Sequence, residues 1–268
     1  MNLFQFNQFE MLTFFAVLVR FSVLMVIFPI FGDRVVPTPV KILLSFSISI
    51  VVFPSLVRNG YVSPDDAAYW GSSAGLIAKI ILLEAVFGVA LAFTSRIVFD
   101  AIQIGGDLIG IFMGLSSANI YDPHQESNTQ IVGKLKVTLA SVLFITLNAH
   151  YILLKASIES YRFVGLGKVD ITGSYTEKLV SFTSELIRLG VRFAAPMAVA
   201  LFSINIVYAV LAKALPQLNV LVLSFAVSSF VGLFVIFLGM PEFVSVAGGV
   251  FNNSGSRLTE FMVSLSGK

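Results

Sequence analysis

The sequence has no cysteine and only two histidines, His124 and His150. Without cysteine there can be no disulfide framework, no thiolate metal site and no cysteine nucleophile. Two histidines leave little material for a metal centre, and the chain carries no nucleophile, metal-binding or phosphate-binding motif. We therefore expect a protein that is not an enzyme and that binds no cofactor or metal.

Charged residues are also scarce. They make up 12% of the 268 residues, whereas hydrophobic residues make up 57%, and the mean hydropathy is +0.92. An average soluble chain carries about 25% charged residues. The net charge of +2 is too small and too dispersed for a nucleic-acid surface, so no nucleic-acid partner is expected. The composition predicts an all-α membrane protein that faces lipid or a large protein interface.

About six long hydrophobic segments account for most of the chain. A helix of about 20 apolar residues spans the hydrocarbon core of a bilayer, and most of these segments reach that length. Four of them precede a polar, glycine-bearing boundary at residues 159–176, and two follow it. They are Met11–Phe31, Val40–Val57, Gly71–Phe99, Ile131–Ile158, Val191–Leu215 and Val220–Met240.

Only four residues, 216–219, separate the last two segments. So short a connection predicts an antiparallel helical hairpin. Within this turn, Pro216, Gln217 and Asn219 either satisfy the backbone of the turn or line an entrance that faces cargo.

Four charged residues lie within or beside apolar segments: Arg20, Lys79, Glu84 and Asp107. A charge in the hydrocarbon region costs a few kcal/mol and usually has a partner. We expect structural pairs within the chain or with another subunit. The alternative is an ion-coupled secondary transporter that uses these charges. Such transporters usually contain an internal repeat, and the arrangement of four segments and two does not predict one.

The stretch between the third and fourth segments, Gly105–Pro123, combines apolar residues with four glycines and with the polar residues Asp107, Asn119 and Asp122. Because glycine weakens helices, we expect a flexible loop that folds into the interior of an assembly. A surface loop is the alternative. Phe112 and Met113, between Gly110 and Gly114, are suited to a deformable hydrophobic constriction, although packing in a core explains them equally well.

Four stretches together resemble one known family. They are FPIFGDRVVPTPVKILLSFSISIVVFP, GGDLIGIFMGLSSANIYDP, NAHYILLKASIESY and AAPMAVALFSINIVYAVLAKALPQLNVLVLSF. Their order and spacing are similar to the FliR/SctT family, the export-gate membrane proteins of flagellar and virulence type III secretion systems. The resemblance covers essentially the whole chain. One departure is Gly106-Asp107, where the family often has Gly-Glu.

The resemblance implies a subunit of a helical hetero-oligomer in the bacterial inner membrane, at the flagellar basal body. It implies FliP-type, FliQ-type and FlhB-type partners, contact with membrane lipid, and a conduit for unfolded export substrates. Residues 1–160 would form a FliP-like part, and residues 175–268 a FliQ-like hairpin with an amphipathic tail. Loop 105–123 would be a pore plug that contains Gly106, Gly110, Ile111, Phe112, Met113, Gly114 and Leu115.

Overall fold

The structure is a computed structural model, and it describes residues 7–32, 36–115, 131–168, 173–214, 217 and 220–265. Within these ranges the chain forms ten α-helices and no strand, with a short 3-10 turn at Pro64–Asp66. The helices are α1 (Gln8–Ile27), α2 (Thr38–Arg58), α3 (Ala67–Trp70), α4 (Ala74–Phe112), α5 (Ile131–Thr146), α6 (Ala149–Phe163), α7 (Gly173–Ala214), α8 (Val220–Leu238), α9 (Met240–Asn252) and α10 (Ser254–Leu265).

Four helical segments are long and apolar enough to cross a membrane: α1, α2, α4 and the part of α7 from Ile187 to Ala214. Two further candidates are bent. Helices α5 and α6 meet at 70°, and α8 meets the following helical segment at 55°. If each bent pair is one span, six spans result. The predicted class, an all-α membrane protein with about six long hydrophobic segments, is confirmed.

Helix α4 is much longer than the sequence predicts. The third hydrophobic segment was expected to end near Phe99, yet the helix continues to Phe112 and contains 39 residues. At 1.5 Å per residue it is about 58 Å long. The prediction of a loop from Gly105 is therefore wrong for residues 105–112. Residues 116–123 of that stretch lie outside the described residues.

The boundary predicted at residues 159–176 contains the end of α6 and the beginning of α7. Helix α7 then runs for 42 residues. It joins the amphipathic helix predicted at Tyr175–Gly190 to the fifth hydrophobic segment, with Pro196 inside. A proline within a helix removes one backbone hydrogen bond, but the long apolar surface on either side keeps the helix continuous.

The chain forms two compact units that interleave along the sequence. Unit 1 comprises Met1–Arg96, Asn148–Phe182 and Asn253–Lys268, and unit 2 comprises Ile97–Leu147 and Thr183–Asn252. Helix α4 contributes its first part to unit 1 and its second part to unit 2. The predicted FliP-like and FliQ-like parts, in contrast, are consecutive stretches of the chain. They describe a resemblance to other proteins and not compact units, and that division stays a prediction.

The core of unit 1 forms mainly between α1 and α2. Phe14, Val17 and Phe21 on α1 are buried with Phe53 and Leu56 on α2. The rings of Phe14 and Phe53 meet edge to face at 5.6 Å between centroids. Full burial of each such side chain is worth about 1.5–3 kcal/mol. The sequence places these residues on one face of each helix, so the two helices pack along that face.

Unit 2 contains an aromatic cluster that joins three helices. Phe99 on α4, Phe144 on α5 and Phe251 on α9 have ring centroids 5.3 to 5.5 Å apart. Aromatic pairs at this separation add about 0.5–1.5 kcal/mol each beyond the area they bury. The cluster fixes the second part of α4 against its neighbours and so positions the end of that helix.

Candidate functional site

Arg20, at the centre of the first hydrophobic helix, is completely buried and forms an ion pair with Glu84 of α4, which is also buried. Nε of Arg20 donates to Oε2 of Glu84 at 2.6 Å, and Nη2 donates to Oε1 at 3.0 Å. This two-point geometry is the strongest that arginine and a carboxylate adopt. The pair connects two helices whose partner residues are 64 positions apart in sequence.

Two further hydrogen bonds complete the surroundings of the pair. Nη1 of Arg20 donates to the hydroxyl of Ser160 on α6 at 2.9 Å. The backbone N–H of Gly167, in the turn after α6, donates to Oε1 of Glu84 at 2.7 Å. Gly167 has a φ of 67°, a left-handed conformation that glycine adopts without strain. The network therefore holds α1, α4, α6 and the turn that follows α6.

Aromatic rings enclose the guanidinium group. Cζ of Arg20 lies 4.4 Å from the centroid of Phe87 and 3.7 Å from that of Tyr161. Such cation–π contacts contribute about 2 kcal/mol when they are desolvated. A Cβ atom at Gly88, the next residue on α4, would lie 2.9 Å from the backbone oxygen of Arg20. Glycine at this position allows α1 and α4 to approach closely enough for the ion pair.

The other two predicted charges have different surroundings. Lys79 is exposed and forms no ion pair with a carboxylate of the described residues. Asp107 is half-buried on α4, and its Oδ1 is buried without a hydrogen-bond partner in the described part of the chain. That oxygen lies against Gly133 of α5, at the place a Cβ atom would occupy. The structure thus brings together Arg20 and Glu84 but leaves Lys79 and Asp107 outside that network.

The glycines near the end of α4 lie where neighbouring helices cross it at close range. A Cβ atom at Gly106 would lie 2.6 Å from Cα of Gly133 on α5. A Cβ atom at Gly105 would lie 2.7 Å from the backbone oxygen of Gly190 on α7. Adjacent residues of a helix point about 100° apart, so Gly105 and Gly106 contact two different neighbouring helices. Small residues let helices in membranes pack backbone to backbone, which explains why this segment is helical and not a loop.

The end of α4 is fixed by contacts with α7 and α8. Gly114 follows the helix with a φ of 78°, the left-handed conformation typical of a helix end. Nδ2 of Asn205, on α7, donates to the backbone oxygen of Phe112 at 3.2 Å. The hydroxyl of Ser228, on α8, donates to the side-chain oxygen of Asn205 at 3.4 Å. A terminal carbonyl that the helix itself leaves without a donor is thereby satisfied.

The large apolar residues of the predicted plug do not share one environment. Met113 is 2% exposed and packs against Gly232 of α8. Phe112 and Leu115 are half-buried beside the same core, whereas Ile111 is 55% exposed. The buried members of this core are Ile109, Met113, Val132, Ala194, Met197, Leu201 and Ile236. Among these plug residues, Met113 anchors the helix end and Ile111 presents an apolar side chain outward.

Part of the predicted site lies outside the described residues. This holds for Pro216 and Asn219 of the hairpin turn and for the second half of the predicted plug, whereas Gln217 is exposed in a turn. Gly106 and Gly110 are buried within α4. The two possible roles of the hairpin residues therefore stay predictions.

Lys136 of α5 is 2% exposed and is not among the site residues predicted from the sequence. Its Nζ donates to the backbone oxygen of Phe193 on α7 at 3.3 Å and lies 5.3 Å from the ring centroid of Phe243 on α9. A lysine near the start of a hydrophobic segment usually reaches back to the membrane surface, so its position in the sequence gave no signal. Asn205, Ser160 and Gly167 were missed because their partners are remote in sequence.

The comparison with known families decides the membership of the chain. The family model described as bacterial export proteins, family 1, matches residues 11–254. The chain belongs to the bacterial export proteins, family 1. Three relatives of this family member are flagellar biosynthetic proteins FliR. The protein from Escherichia coli (strain K12) is 26% identical over 252 residues, 94% of this chain and 93% of the relative.

The other two relatives of this export protein come from other bacteria. The FliR of Buchnera aphidicola subsp. Acyrthosiphon pisum is 28% identical over 240 residues, 88% of this chain and 90% of the relative. That of Bacillus subtilis (strain 168) is 24% identical over 243 residues, 89% of this chain and 90% of the relative. The predicted FliR/SctT family is confirmed, and with it a bacterial membrane protein of the flagellar export apparatus.

Proposed function

We propose that this chain is a non-enzymatic subunit of the export gate in the bacterial inner membrane, at the flagellar basal body. In this role it forms part of the conduit for unfolded export substrates, together with FliP-type, FliQ-type and FlhB-type subunits. The observation that carries the proposal is the family match over residues 11–254, almost the full length of the chain.

The apolar surface of unit 2 supports a place in a larger assembly. Helices α7 and α8 expose large side chains over much of their length, among them Val207 (56%), Phe230 (74%) and Phe237 (73%). Water does not tolerate continuous apolar surface of this extent, so lipid or other subunits must cover it. A gate subunit that is packed among membrane helices meets this requirement.

Ion-coupled transport is the alternative, and the buried pair gives it no support. A coupling carboxylate must exchange its ion or proton with water during the transport cycle. Glu84 is completely buried, and its oxygens already accept hydrogen bonds from Arg20 and Gly167. This carboxylate is suited to holding helices together.

The proposal predicts the product of a co-expression experiment. The chain, tagged, is produced with the FliP-type and FliQ-type proteins of the same organism, purified in mild detergent and weighed by native mass spectrometry. We expect one large complex with one copy of this chain and several copies of the others. Recovery of the chain alone, as a monomer or homo-oligomer, would contradict the gate assignment and lead to transport assays in liposomes.

The end of α4 is proposed to contribute to a plug in the closed conduit. Deleting residues 111–116 would be a poor test, because it also damages the fold. The deletion takes Met113 out of the core and abolishes the hydrogen bond from Asn205 to the backbone oxygen of Phe112. Ile111 is the better position, since its exposed side chain can be changed without disturbing that core. We assign to it the apolar contact that seals the closed conduit.

Replacing Ile111 with serine is expected to make the purified gate complex leak. The substitution removes an apolar side chain from the constriction and adds a hydroxyl that favours wetting. Release of a small dye from vesicles containing the complex measures the leak. Ile131→Ser on α5 is the matched control, since Ile131 is 54% exposed against 55% for Ile111. Equal release from both variants, or vesicles that stay tight with Ile111→Ser, would show that Ile111 does not seal the conduit.

A further inference from the structure

Unit 1 contains a pocket of about 510 Å³ whose lining shares Gly167 with the ion-pair network and includes no described residue of the proposed plug. It forms where the segment between α2 and α4 meets the turn after α6 and the first turns of α4. Its lining includes Tyr61, Tyr69, Trp70, Lys79 and Lys168. Aromatic rings and ammonium groups thus converge on one cavity, on a chain with few charged residues.

The polar groups of the pocket are mainly donors. Lys79 and Lys168 each bring an ammonium group, and Tyr61 and Tyr69 bring hydroxyls. Both lysines are exposed, and neither pairs with a carboxylate among the residues that the structure describes. Among the described residues of the lining Asp66 is the single acidic one, so together they carry a net positive charge. The pocket therefore favours an anion that can accept several hydrogen bonds.

Trp70 gives the pocket a rigid wall. It is 6% exposed and packs with Ala16, Ala67 and the side chains of Leu76 and Ile77. Its Nε1 is buried and has no acceptor within the described part of the chain. A buried indole N–H normally has a hydrogen-bond partner, so the wall has one donor that the described residues leave unused.

The connectivity supports a position of the pocket at a membrane surface. Helices α2 and α4 are both long and apolar enough to cross a membrane, and two helices that cross it place the segment that joins them, here residues 59–73, on one side. Tryptophan and tyrosine are enriched at the level of lipid headgroups, where their rings contact both apolar and polar surroundings. Lysines at this level attract anionic lipids. The aromatic and cationic lining matches these properties.

We propose that this pocket binds the phosphate headgroup of an anionic phospholipid. Lys79 and Lys168 pair with the phosphate, the tyrosine hydroxyls donate to its oxygens or to the glycerol, and the wall at Trp70 packs against the start of the acyl chains. The lipid would occupy a fixed place beside the turn that contains Gly167. The inference does not depend on the plug or on the subunit composition of the gate.

Trp70 is the only tryptophan of the chain, so its emission reports on this pocket alone. The purified full-length chain in a neutral detergent is titrated with short-chain phosphatidylglycerol, and tryptophan emission is recorded. We expect a saturable change with phosphatidylglycerol and none with short-chain phosphatidylcholine. Lys79→Gln and Lys168→Gln should each weaken binding about fivefold, from roughly 1 kcal/mol per lysine near an anionic lipid.

Lys155→Gln is the matched control, since Lys155 is an exposed lysine on α6 of the same unit, outside the pocket lining. It should leave the affinity unchanged. The proposal is overturned if Lys155→Gln weakens binding as much as Lys79→Gln, or if phosphatidylcholine binds equally well. It is also overturned if inorganic phosphate saturates the emission change at the same affinity, which would indicate a site for a soluble anion.

A second measurement is independent of the fluorophore. Native mass spectrometry of the delipidated chain, after addition of phosphatidylglycerol, should detect one lipid that survives activation. The double variant with both lysines changed to glutamine should lose this lipid while keeping its thermal unfolding midpoint. Equal lipid retention by the double variant and the unaltered chain would overturn the assignment.

Discussion

Replacing Glu84 with glutamine is expected to lower the free energy of unfolding by about 3–5 kcal/mol, because it leaves the charge of Arg20 buried without a counter-ion. The substitution keeps the size of the side chain, so the loss reports on charge and hydrogen bonding rather than on a cavity. Thermal unfolding of the purified chain in detergent measures it. The midpoint should fall by roughly 6–20 °C.

The exposed pair between Lys155 and Glu159 on α6 provides the control. Its atoms are 3.9 Å apart, and both side chains are more than half exposed. Glu159→Gln should therefore change stability by about 0–1 kcal/mol. A double variant with leucine at positions 20 and 84 should recover much of the loss, because no unpaired charge remains. Equal losses in Glu84→Gln and Glu159→Gln would show that the buried pair has no special role.

Replacing Gly106 with alanine is expected to destabilise the chain by about 1–3 kcal/mol through overpacking. The new Cβ atom would lie 2.6 Å from Cα of Gly133 and 3.0 Å from the backbone oxygen of Val132, and backbone atoms cannot rotate away. Helices α4 and α5 would have to separate. Gly133→Ala should act in the same direction, since its Cβ atom would collide with the Asp107 carboxylate.

Gly249, on α9, provides a control of opposite sign. A Cβ atom there meets no atom within 4 Å, so alanine adds helix stability without a clash. The expected gain is about 0.5–1 kcal/mol. Thermal unfolding of the isolated chain in detergent compares the three variants. If Gly106→Ala and Gly249→Ala both raise the midpoint, the crossing of α4 and α5 does not require glycine.

The glycines of α4 show where reasoning from the sequence failed. Helix propensity counts each glycine as a cost of about 1 kcal/mol, and four of them within ten residues indicate a loop. Two of these glycines, Gly105 and Gly106, allow α7 and α5 to pack against α4, and this contact outweighs the propensity. A signal was present: Gly106, Gly110 and Gly114 are spaced by four, the small-residue spacing of helices that cross in membranes.

The predictions that succeeded rest on local properties. Hydropathy along the chain is enough to locate the candidate spans, since such a helix needs only sufficient length and few charged residues. The cost of a buried charge drew attention to Arg20 and Glu84, although the same reasoning also selected Lys79 and Asp107, which lie outside the pair. The sequence does not predict that Arg20 and Glu84 pair with each other, because they are 64 positions apart and several other carboxylates could have paired with Arg20. Neither periodicity nor composition encodes which helices become neighbours.

The compact units could not be predicted from the order of the chain. Boundaries read from a sequence are cuts between consecutive stretches, whereas unit 1 takes helices from three separate segments. The polar stretch near residues 159–176 does contain the junction between α6 and α7. The helices that pack against each side of that junction are chosen by tertiary contacts. The Arg20–Glu84–Ser160 network is the example on the α6 side.

The interleaving of the chain also bears on how the protein is made. Helix α10 buries Leu258, Phe261 and Met262, and it packs against α6. Ribosomes add about 5–20 residues per second, so roughly 5–20 s pass between the synthesis of Phe163, at the end of α6, and that of Phe261. During that interval α6 lacks the helix that covers it. We therefore expect this surface of α6 to be accessible to other proteins in the nascent chain until α10 has been made.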